Sequence, residues 1–297
     1  MELRHLRYFV AVAEELHFGR AAERLFMAQP PLSQQIQQLE REIGASLFQR
    51  TSRRVQLTAA GQVFLEEAQQ ILARVETAVE TAQRASRGEV GRLAVGFSAS
   101  ATYDVLPGVL REFRARYADV ELLLSELTAA EQAQALHDQK IQIGLARPFI
   151  EDTTIVVESV VQEPFVVALP ERHPLAAETE ITLGRLAGEP FIQFPAYPKP
   201  SYADLVTAVC QTAGFVPIVA QEVREMQTAI SLVAAGMGVA ILPASIQHLQ
   251  RQGVVYRALP PETPQTELVM AYRRDDLSPV LAAFCAMIRQ RKSLTLA

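Results

Sequence analysis

Apolar residues near the start of the chain recur at intervals of three and four, the spacing of an amphipathic helix. The pattern predicts helices over residues 3–15 and 18–26. It predicts a third helix that begins at Pro30–Pro31 and stops at Gly44, because proline suits a first helical turn and glycine a helix end. Residues 45–58 then predict a short hairpin.

The longest regular pattern predicts one helix over residues 59–87. Its apolar positions step by four and three, and they are Phe64, Ala68, Ile71, Val75, Ala78 and Ala82, widened by Leu72 and Val79. A seam with this spacing needs a packing partner. Packing against the rest of its own chain remains one interpretation, and pairing with the same helix of a second chain is favoured. Residues 88–91, with two glycines, are the predicted hinge.

Beyond the hinge, strand and helix patterns alternate, which predicts an α/β fold with largely parallel sheets in two lobes. The predicted strands cover residues 92–97, 120–125, 141–146, 155–161, 165–169, 190–194, 217–222, 238–242 and 267–272. The predicted helical segments cover residues 103–117, 129–138, 182–187, 201–213, 225–236, 244–251 and 278–291. We expect residues 1–58, 59–87 and 92–297 to form three domains. Within the third, residues 92–161 and 268–297 form the first lobe and residues 162–267 the second.

Composition limits the classes of protein further. The chain has 297 residues and a net charge of -5, yet residues 1–60 hold eight Arg against six Glu, a weakly basic head on an acidic body. The absence of a signal-peptide pattern and of a long apolar run predicts a cytoplasmic protein that makes no membrane contact. Cys210 and Cys285 have no CxxC spacing, and the five His form no metal-ligand pair, so no cofactor is predicted.

The polar face of the third predicted helix suits the major groove of DNA. Gln pairs with adenine and Ser with several bases, and arginines on the adjoining hairpin can hold phosphates as a wing. A solvated polar face and an ordinary charged turn are the alternatives. The candidate DNA-binding residues are Gln29, Pro30, Pro31, Ser33, Gln34, Gln35, Gln37, Arg50, Arg53 and Arg54.

Several segments together closely resemble the LysR-type transcriptional regulators. In the first 65 residues these are Leu3–Glu14, Ala21–Leu25, Gln29–Ser33, Ile36–Glu40 and Leu57–Gly61, and later ones are His173–Leu175 and Val233–Pro243. The resemblance implies a winged helix-turn-helix, a dimer through the linker helix, and two Rossmann-like lobes of periplasmic-binding-protein type. It also implies that the protein forms a homotetramer and that its partners are double-stranded DNA and RNA polymerase. It further implies that the protein activates transcription from an interrupted inverted repeat.

The chain departs from the family pattern at three positions of the head. Gly19 and Ala28 stand where the family often has a hydroxyl residue, so each is expected to lose a helix cap, about 1 kcal/mol. Gln34 stands where the family often has Arg or Lys after Ser33, which changes the base preference at that contact.

Within the family, the chain looks most like regulators of aromatic-compound breakdown that respond to muconate-type acids. The similar stretches are the N-terminus, Phe194–Tyr202 and Glu222–Ala229. The likeness implies ligand contacts at Ser100, Thr128, Arg147 and the segment Pro200–Tyr202. Val161 appears where some relatives have an arginine for a second aromatic-acid pocket, so that pocket is not predicted.

The residues themselves also predict a site for a small carboxylate. A cleft between two α/β lobes lies at strand ends, where helix N-termini favour anions. Helix capping and loop packing are the alternative roles of the polar residues there. The candidate effector-binding residues are Ser98, Ser100, Thr128, Arg147, Lys199, Pro200, Ser201, Tyr202 and Gln227.

Three other functions fit the chain less well. An enzyme would need a nucleophile with a base, but Ser98 and Ser100 have no identifiable His/Asp partner. A solute-binding transport protein fits only the C-terminal part. A redox-sensing regulator of the same family is the serious alternative, and it would use Cys210 or Cys285.

Overall fold

The computed structural model describes residues 1–50, 54–149 and 152–295. The chain divides into two compact units, Met1–Arg84 and Ala85–Ala297. We call the first unit the head, and the second contains two lobes.

The head consists of helices and one small hairpin, as the periodicity predicts. Its elements are α1 (Leu3–Glu15), α2 (Phe18–Arg24), α3 (Gln29–Ile43), β1 (Phe48–Arg50), β2 (Val55–Leu57) and α4 (Ala59–Ser86). The predicted hairpin is confirmed, since Phe48 pairs with Leu57 across an antiparallel ladder. Helix α3 ends at Gly44 with a φ of 76°, a left-handed conformation that glycine adopts without a steric penalty.

The two expected losses of helix caps have different outcomes. Ala28 is the N-cap of α3 and makes no side-chain cap hydrogen bond, as predicted. The expectation for Gly19 is wrong, because His17 is the N-cap of α2 and its Nδ1 accepts the backbone N–H of Gly19 at 3.1 Å and of Arg20 at 3.2 Å. The imidazole of His17 therefore accepts the hydrogen bonds that a capping hydroxyl would accept.

Aromatic rings join the elements of the head. The ring of Phe9 lies 5.3 Å from that of Phe48 and 5.0 Å from that of Phe64, so α1 contacts both the hairpin and the start of α4. Of the stripe predicted to face inward on α3, three side chains are fully buried, namely Leu32, Ile36 and Leu39, and Ile43 is exposed. The last turn of α3 thus extends past the core.

The first lobe is built on a five-stranded sheet. Its strands are β3 (Val90–Phe97), β4 (Asp119–Glu126), β5 (Ile143–Ala146), β6 (Ile155–Glu163) and β12 (Thr266–Arg273), and its helices are α5 (Val105–Arg116), α6 (Ala129–His137) and α9 (Pro279–Thr295). The order of the strands in the sheet is β4-β3-β5-β12-β6. Strand β3 is parallel to β4 and β5, but β12 is antiparallel to β5 and β6.

The second lobe has two smaller sheets. Its strands are β7 (Phe165–Pro170), β8 (Pro190–Gln193), β9 (Ile218–Glu222), β10 (Ala240–Pro243) and β11 (Val254–Ala258), and its helices are α7 (Tyr202–Thr212) and α8 (Met226–Ala234). Strands β10 and β11 both pair antiparallel with β7, whereas β8 and β9 are parallel. The α/β class is confirmed, and the expectation of largely parallel sheets is wrong.

Some elements differ in type from the prediction. Strand β11 was not predicted, because its half-buried residues do not alternate between polar and apolar. The segments predicted as helical at 182–187 and 244–251 are short 3-10 helices, Leu183–Leu186 and Ala244–His248. A further 3-10 turn, Ala99–Thr102, follows β3 and precedes α5.

Gly61 permits a close approach between α4 and Leu47, the residue before β1. A Cβ at this position would lie 2.1 Å from the backbone carbonyl oxygen of Leu47. Gly61→Ala should therefore lower the free energy of unfolding of the head by about 1–3 kcal/mol, although alanine is the better helix former. Urea unfolding followed by circular dichroism measures the change.

Gly184→Ala is the matched control, since a Cβ there would meet nothing within 4 Å. It should leave the unfolding free energy within about 0.5 kcal/mol of the original value. Equal stability of the two variants would contradict the contact described for Gly61.

Candidate DNA-reading surface and effector cleft

Helix α3 presents most of its predicted base-reading residues to solvent. The exposed members are Gln29, Pro30, Pro31, Gln34 and Gln37, and Ser33 is half-buried. Pro30 and Pro31 occupy the first turn, where a missing N–H is no loss to the helix. A polar surface at the N-terminal end of this helix is the arrangement that helix-turn-helix proteins place in the major groove.

Gln35 differs from the other glutamines of α3. Its Oε1 lies 2.8 Å from Nε2 of the buried His5 on α1, and His5 Nδ1 accepts the backbone N–H of Glu2 at 3.2 Å. The amide oxygen of Gln35 is therefore turned into the head, which contradicts the expectation that this side chain lies wholly on the outer face. His5 was not predicted as part of the surface, and a lone histidine in a helix gives no sequence signal of it.

An ion pair connects the wing to α3. Arg50 Nη2 donates to Glu40 Oε2 at 2.8 Å, and its guanidinium lies 4.9 Å from the centre of the Phe18 ring. Glu40 Oε1 also accepts the backbone N–H of Leu47 and Phe48. Arg50 thus has a structural partner, so the contact with phosphate remains a prediction for it.

The other two arginines predicted in the wing are Arg54 and Arg53. Arg54 is exposed and directly precedes β2. Arg53 lies outside the described residues, so its predicted role stays a prediction.

In the second unit, the predicted effector residue Arg147 lies at the end of β5 and is buried, with a side chain only 2% exposed. Its Nη2 pairs with Oε1 of Glu163, the last residue of β6 before the chain enters the second lobe. Glu163 also accepts hydrogen bonds from the backbone N–H of Ser245 at 2.5 Å and from its Oγ at 3.1 Å. The three residues therefore connect the first lobe, the crossover and the second lobe.

Some polar atoms near this connection have no partner among the described residues. Arg147 Nε and Nη1 and the Tyr202 hydroxyl are buried and make no hydrogen bond within the described residues. Burial raises the pKa of Tyr202 well above its ordinary value, with Arg147 opposing and Glu163 adding to the rise. The hydroxyl is near both charges and stays protonated, so it is available as a donor.

Two predicted serines are also buried in this region. Ser100 lies in the 3-10 turn after β3, and its Oγ is 3.1 Å from that of Ser98. Ser201 is the N-cap of α7, where its Oγ accepts the backbone N–H of Ala203 and donates to the carbonyl of Pro195. The capping interpretation is therefore correct for Ser201, whose hydroxyl already has two partners.

The remaining predicted effector residues lie closer to the surface. Thr128 caps α6 through a reciprocal pair of hydrogen bonds with Glu131. Lys199 is paired with Asp204 at 3.0 Å, and the side chain of Gln227 is exposed on the first turn of α8. Pro200 is half-buried. Thr128 therefore has the contacts of a helix cap, and Lys199 has those of a surface ion pair.

Two residues of the buried cluster were not predicted, Glu163 and Ser245. A glutamate before a proline and a serine after a strand are ordinary in sequence, and only the folded chain brings them to Arg147. A groove of about 880 Å³ lies elsewhere, along α5 and β4, and it shares no lining residue with the predicted effector site.

Within the described residues, no helix combines the length and apolar character required to cross a bilayer. A head of four helices with a wing, together with a two-lobed α/β unit, is the arrangement of a DNA-binding regulator with a separate second domain.

Comparison with known proteins identifies the family. The bacterial regulatory helix-turn-helix domain of the lysR family matches residues 3–62, and the LysR substrate binding domain matches residues 86–293. The chain therefore belongs to the LysR family of transcriptional regulators, which are not enzymes.

Three proteins are similar to this chain over nearly all of their own length. The regulator AlsR of Bacillus subtilis is 43% identical, with 99% of each chain covered. The crystal structure of full-length CbnR complexed with its target DNA has a TM-score of 0.87 at 30% identity, covering 98% of this chain and all of that one. The effector-binding domain of BenM with its effector benzoate has a TM-score of 0.63 at 28% identity, covering 69% of this chain and 93% of that one.

Removal of the Glu163 charge should destabilise the second unit. Glu163→Gln leaves the buried Arg147 without a counter-charge, and losing one partner of a buried pair costs about 3–5 kcal/mol. Urea unfolding of the full chain measures the change. Glu171→Gln, at an exposed glutamate of the same unit, is the control and should change the free energy of unfolding by less than about 0.5 kcal/mol. Equal stability of both variants would show that the pair is not buried as described.

Proposed function

We propose that this protein is an effector-dependent activator that binds an interrupted inverted repeat as a homo-oligomer and senses a small carboxylate between its lobes. One observation carries the sensing part of the proposal: among the described residues, two nitrogen atoms of the buried Arg147 and the nearby Tyr202 hydroxyl have no hydrogen-bond partner.

A carboxylate is the ligand that these groups suit best. Unpaired N–H and O–H groups in a buried site cost free energy until an acceptor reaches them, and hydrogen bonds to a charged acceptor are the strongest available. Arg147 provides positive charge that Glu163 only partly satisfies. The BenM effector domain, similar over 69% of this chain, binds benzoate, which supports an aromatic or unsaturated acid such as a muconate.

The closed packing around these groups also suggests how a ligand acts. Arg147 belongs to the first lobe and Tyr202 to the second, and both are buried, so a ligand enters only when the lobes separate. A ligand that binds both lobes favours one arrangement over the other, which is a shift of population between two forms. This shift is the proposed signal to the DNA-binding heads.

Control by cysteine oxidation is the weaker alternative. Cys210 and Cys285 are buried, and burial raises the pKa of each thiol to about 12. Reactive cysteines are exposed thiolates with a lowered pKa, and neither residue meets that requirement. The carboxylate proposal is therefore preferred.

Tyr202→Phe tests the ligand site with little structural disturbance. The substitution removes a buried hydroxyl without a partner, so the melting temperature should stay the same or rise. If the hydroxyl donates to a carboxylate, affinity for cis,cis-muconate or benzoate should fall about tenfold or more. Thermal shift and calorimetric titration of the full chain measure both quantities.

Tyr256→Phe is the matched control, because the Tyr256 hydroxyl already donates to the Leu249 carbonyl. It should leave ligand affinity unchanged. If neither acid raises the melting temperature of the original protein, the carboxylate proposal is wrong. If Tyr202→Phe binds as tightly as the original protein, the role of the Tyr202 hydroxyl in the site is wrong.

Oligomerisation is proposed to occur through α4. The start of its apolar seam packs in the head through Phe64 and Ala68, but the continuation is open to solvent in the single chain. Ile71 is 40% exposed and Val79 is 53% exposed, on a helix of 28 residues. A second copy of α4 would cover these residues as in a coiled coil.

Val75→Glu tests this interface by placing a charge on the seam. The mass measured by sedimentation should fall below that of the original oligomer, and binding to an inverted repeat should lose its two-site character. Thr77→Glu adds the same charge to the same helix at an exposed position off the seam, and should leave the mass unchanged. An unchanged mass for Val75→Glu would exclude α4 as the interface.

A further inference from the structure

The turn between α2 and α3 exposes an aromatic ring that no contact among the described residues of the head accounts for. Phe26 is 97% exposed, whereas its neighbour Met27 packs against the core of the head. We propose that Phe26 is a specificity-determining residue that contacts the C5-methyl group of a thymine in the major groove. The inference rests on the DNA-binding function of the family.

The backbone of Phe26 has a conformation that favours glycine. Its φ is 55°, and the turn is a Schellman motif, in which the Met27 N–H donates to the Ala22 carbonyl and the Phe26 N–H to the Glu23 carbonyl. The position that Phe26 occupies in this motif is usually glycine, or sometimes asparagine, because a Cβ is unfavourable in the left-handed region. A phenylalanine at this position is therefore unfavourable in two ways: its backbone is strained, and its apolar ring is exposed to water.

The position of Phe26 identifies its partner as DNA. It precedes Gln29, the first residue of α3, by three positions, so their Cα atoms are at most about 11 Å apart. The N-terminal residues of this helix are the ones that helix-turn-helix proteins bring to base edges. In the major groove, the thymine methyl is the apolar group that a phenylalanine ring contacts.

A structural role and a DNA-contacting role predict opposite results for Phe26→Gly. Glycine relieves the backbone strain, so the melting temperature should stay the same or rise. DNA affinity should nevertheless fall, because the apolar contact is lost. Phe26→Asn, which also tolerates the left-handed conformation, should behave in the same way and guards against an effect specific to glycine.

The experiment uses the full chain and a duplex that the original protein selects from random-sequence DNA, which enriches thymine at the contacted step. A second probe of the same sequence replaces thymine by deoxyuridine, which lacks the methyl group. The original protein should bind the deoxyuridine probe about fourfold more weakly for each contacted methyl group. The Phe26 variants should bind both probes equally, at the weaker level.

Gln139→Gly is the control for the backbone change. Gln139 has a φ of 57° and lies in the second unit, so this variant relieves the same type of strain without altering the head. It should keep the affinity and the methyl dependence of the original protein.

Three results would overturn the proposal. The first is equal affinity of the original protein and the Phe26 variants for the thymine probe. The second is weaker binding by the variants with the same dependence on the methyl group, which would place Phe26 on the sugar or elsewhere. The third is a fall in the melting temperature of both variants, which would give Phe26 a structural role.

Discussion

The second unit depends on one buried ion pair, that of Arg147 with Glu163. Moving two charges out of water is costly, and the pair is tolerated only where geometry and further hydrogen bonds compensate. Ser245 supplies two of those bonds to Glu163, so the carboxylate has partners from both lobes. The pair also lies where the chain crosses between lobes. Movement of one lobe against the other must therefore alter the surroundings of a buried charge, which couples the electrostatics of the cleft to its shape.

The same pair leaves the site incomplete. Glu163 is well satisfied, but two buried nitrogen atoms of Arg147 and the hydroxyl of Tyr202 have no hydrogen-bond partner in the part of the chain that the structure describes. A cluster of polar groups that is only partly satisfied is less stable than one that is complete or one that is absent. The contact between α3 and the wing shows the contrast, because Glu40 of α3 pairs with Arg50 and also accepts two backbone N–H groups. An anionic ligand would complete the cluster between the lobes, whereas Glu40 already has three hydrogen bonds.

Sequence periodicity predicted the helices of the head well, because a stripe such as Leu32, Ile36 and Leu39 must be buried and only a helix aligns it. It could not predict relations between elements. The antiparallel strand β12 carries the same apolar pattern as a parallel strand, so the mixed sheet was missed. The positions of candidate residues after strands indicated Arg147, but no local pattern indicates that Glu163 lies beside it. Pairings between distant residues depend on the fold rather than on spacing.

A left-handed backbone alone does not identify a functional residue. Leu16 and Gln139 share that conformation with Phe26, and all three residues follow the end of a helix. Leu16 is only 45% exposed, and Gln139 is polar, so solvent exposure is tolerable for both. Phe26 differs because the strained backbone holds a large apolar ring almost fully in water, and no contact among the described residues of the head offsets either effect. Strain of this kind is concentrated at functional sites, and in a marginally stable domain its cost is significant. Because Phe26 precedes the first turn of α3 by three residues, a contact with the DNA groove is the compensation that we propose.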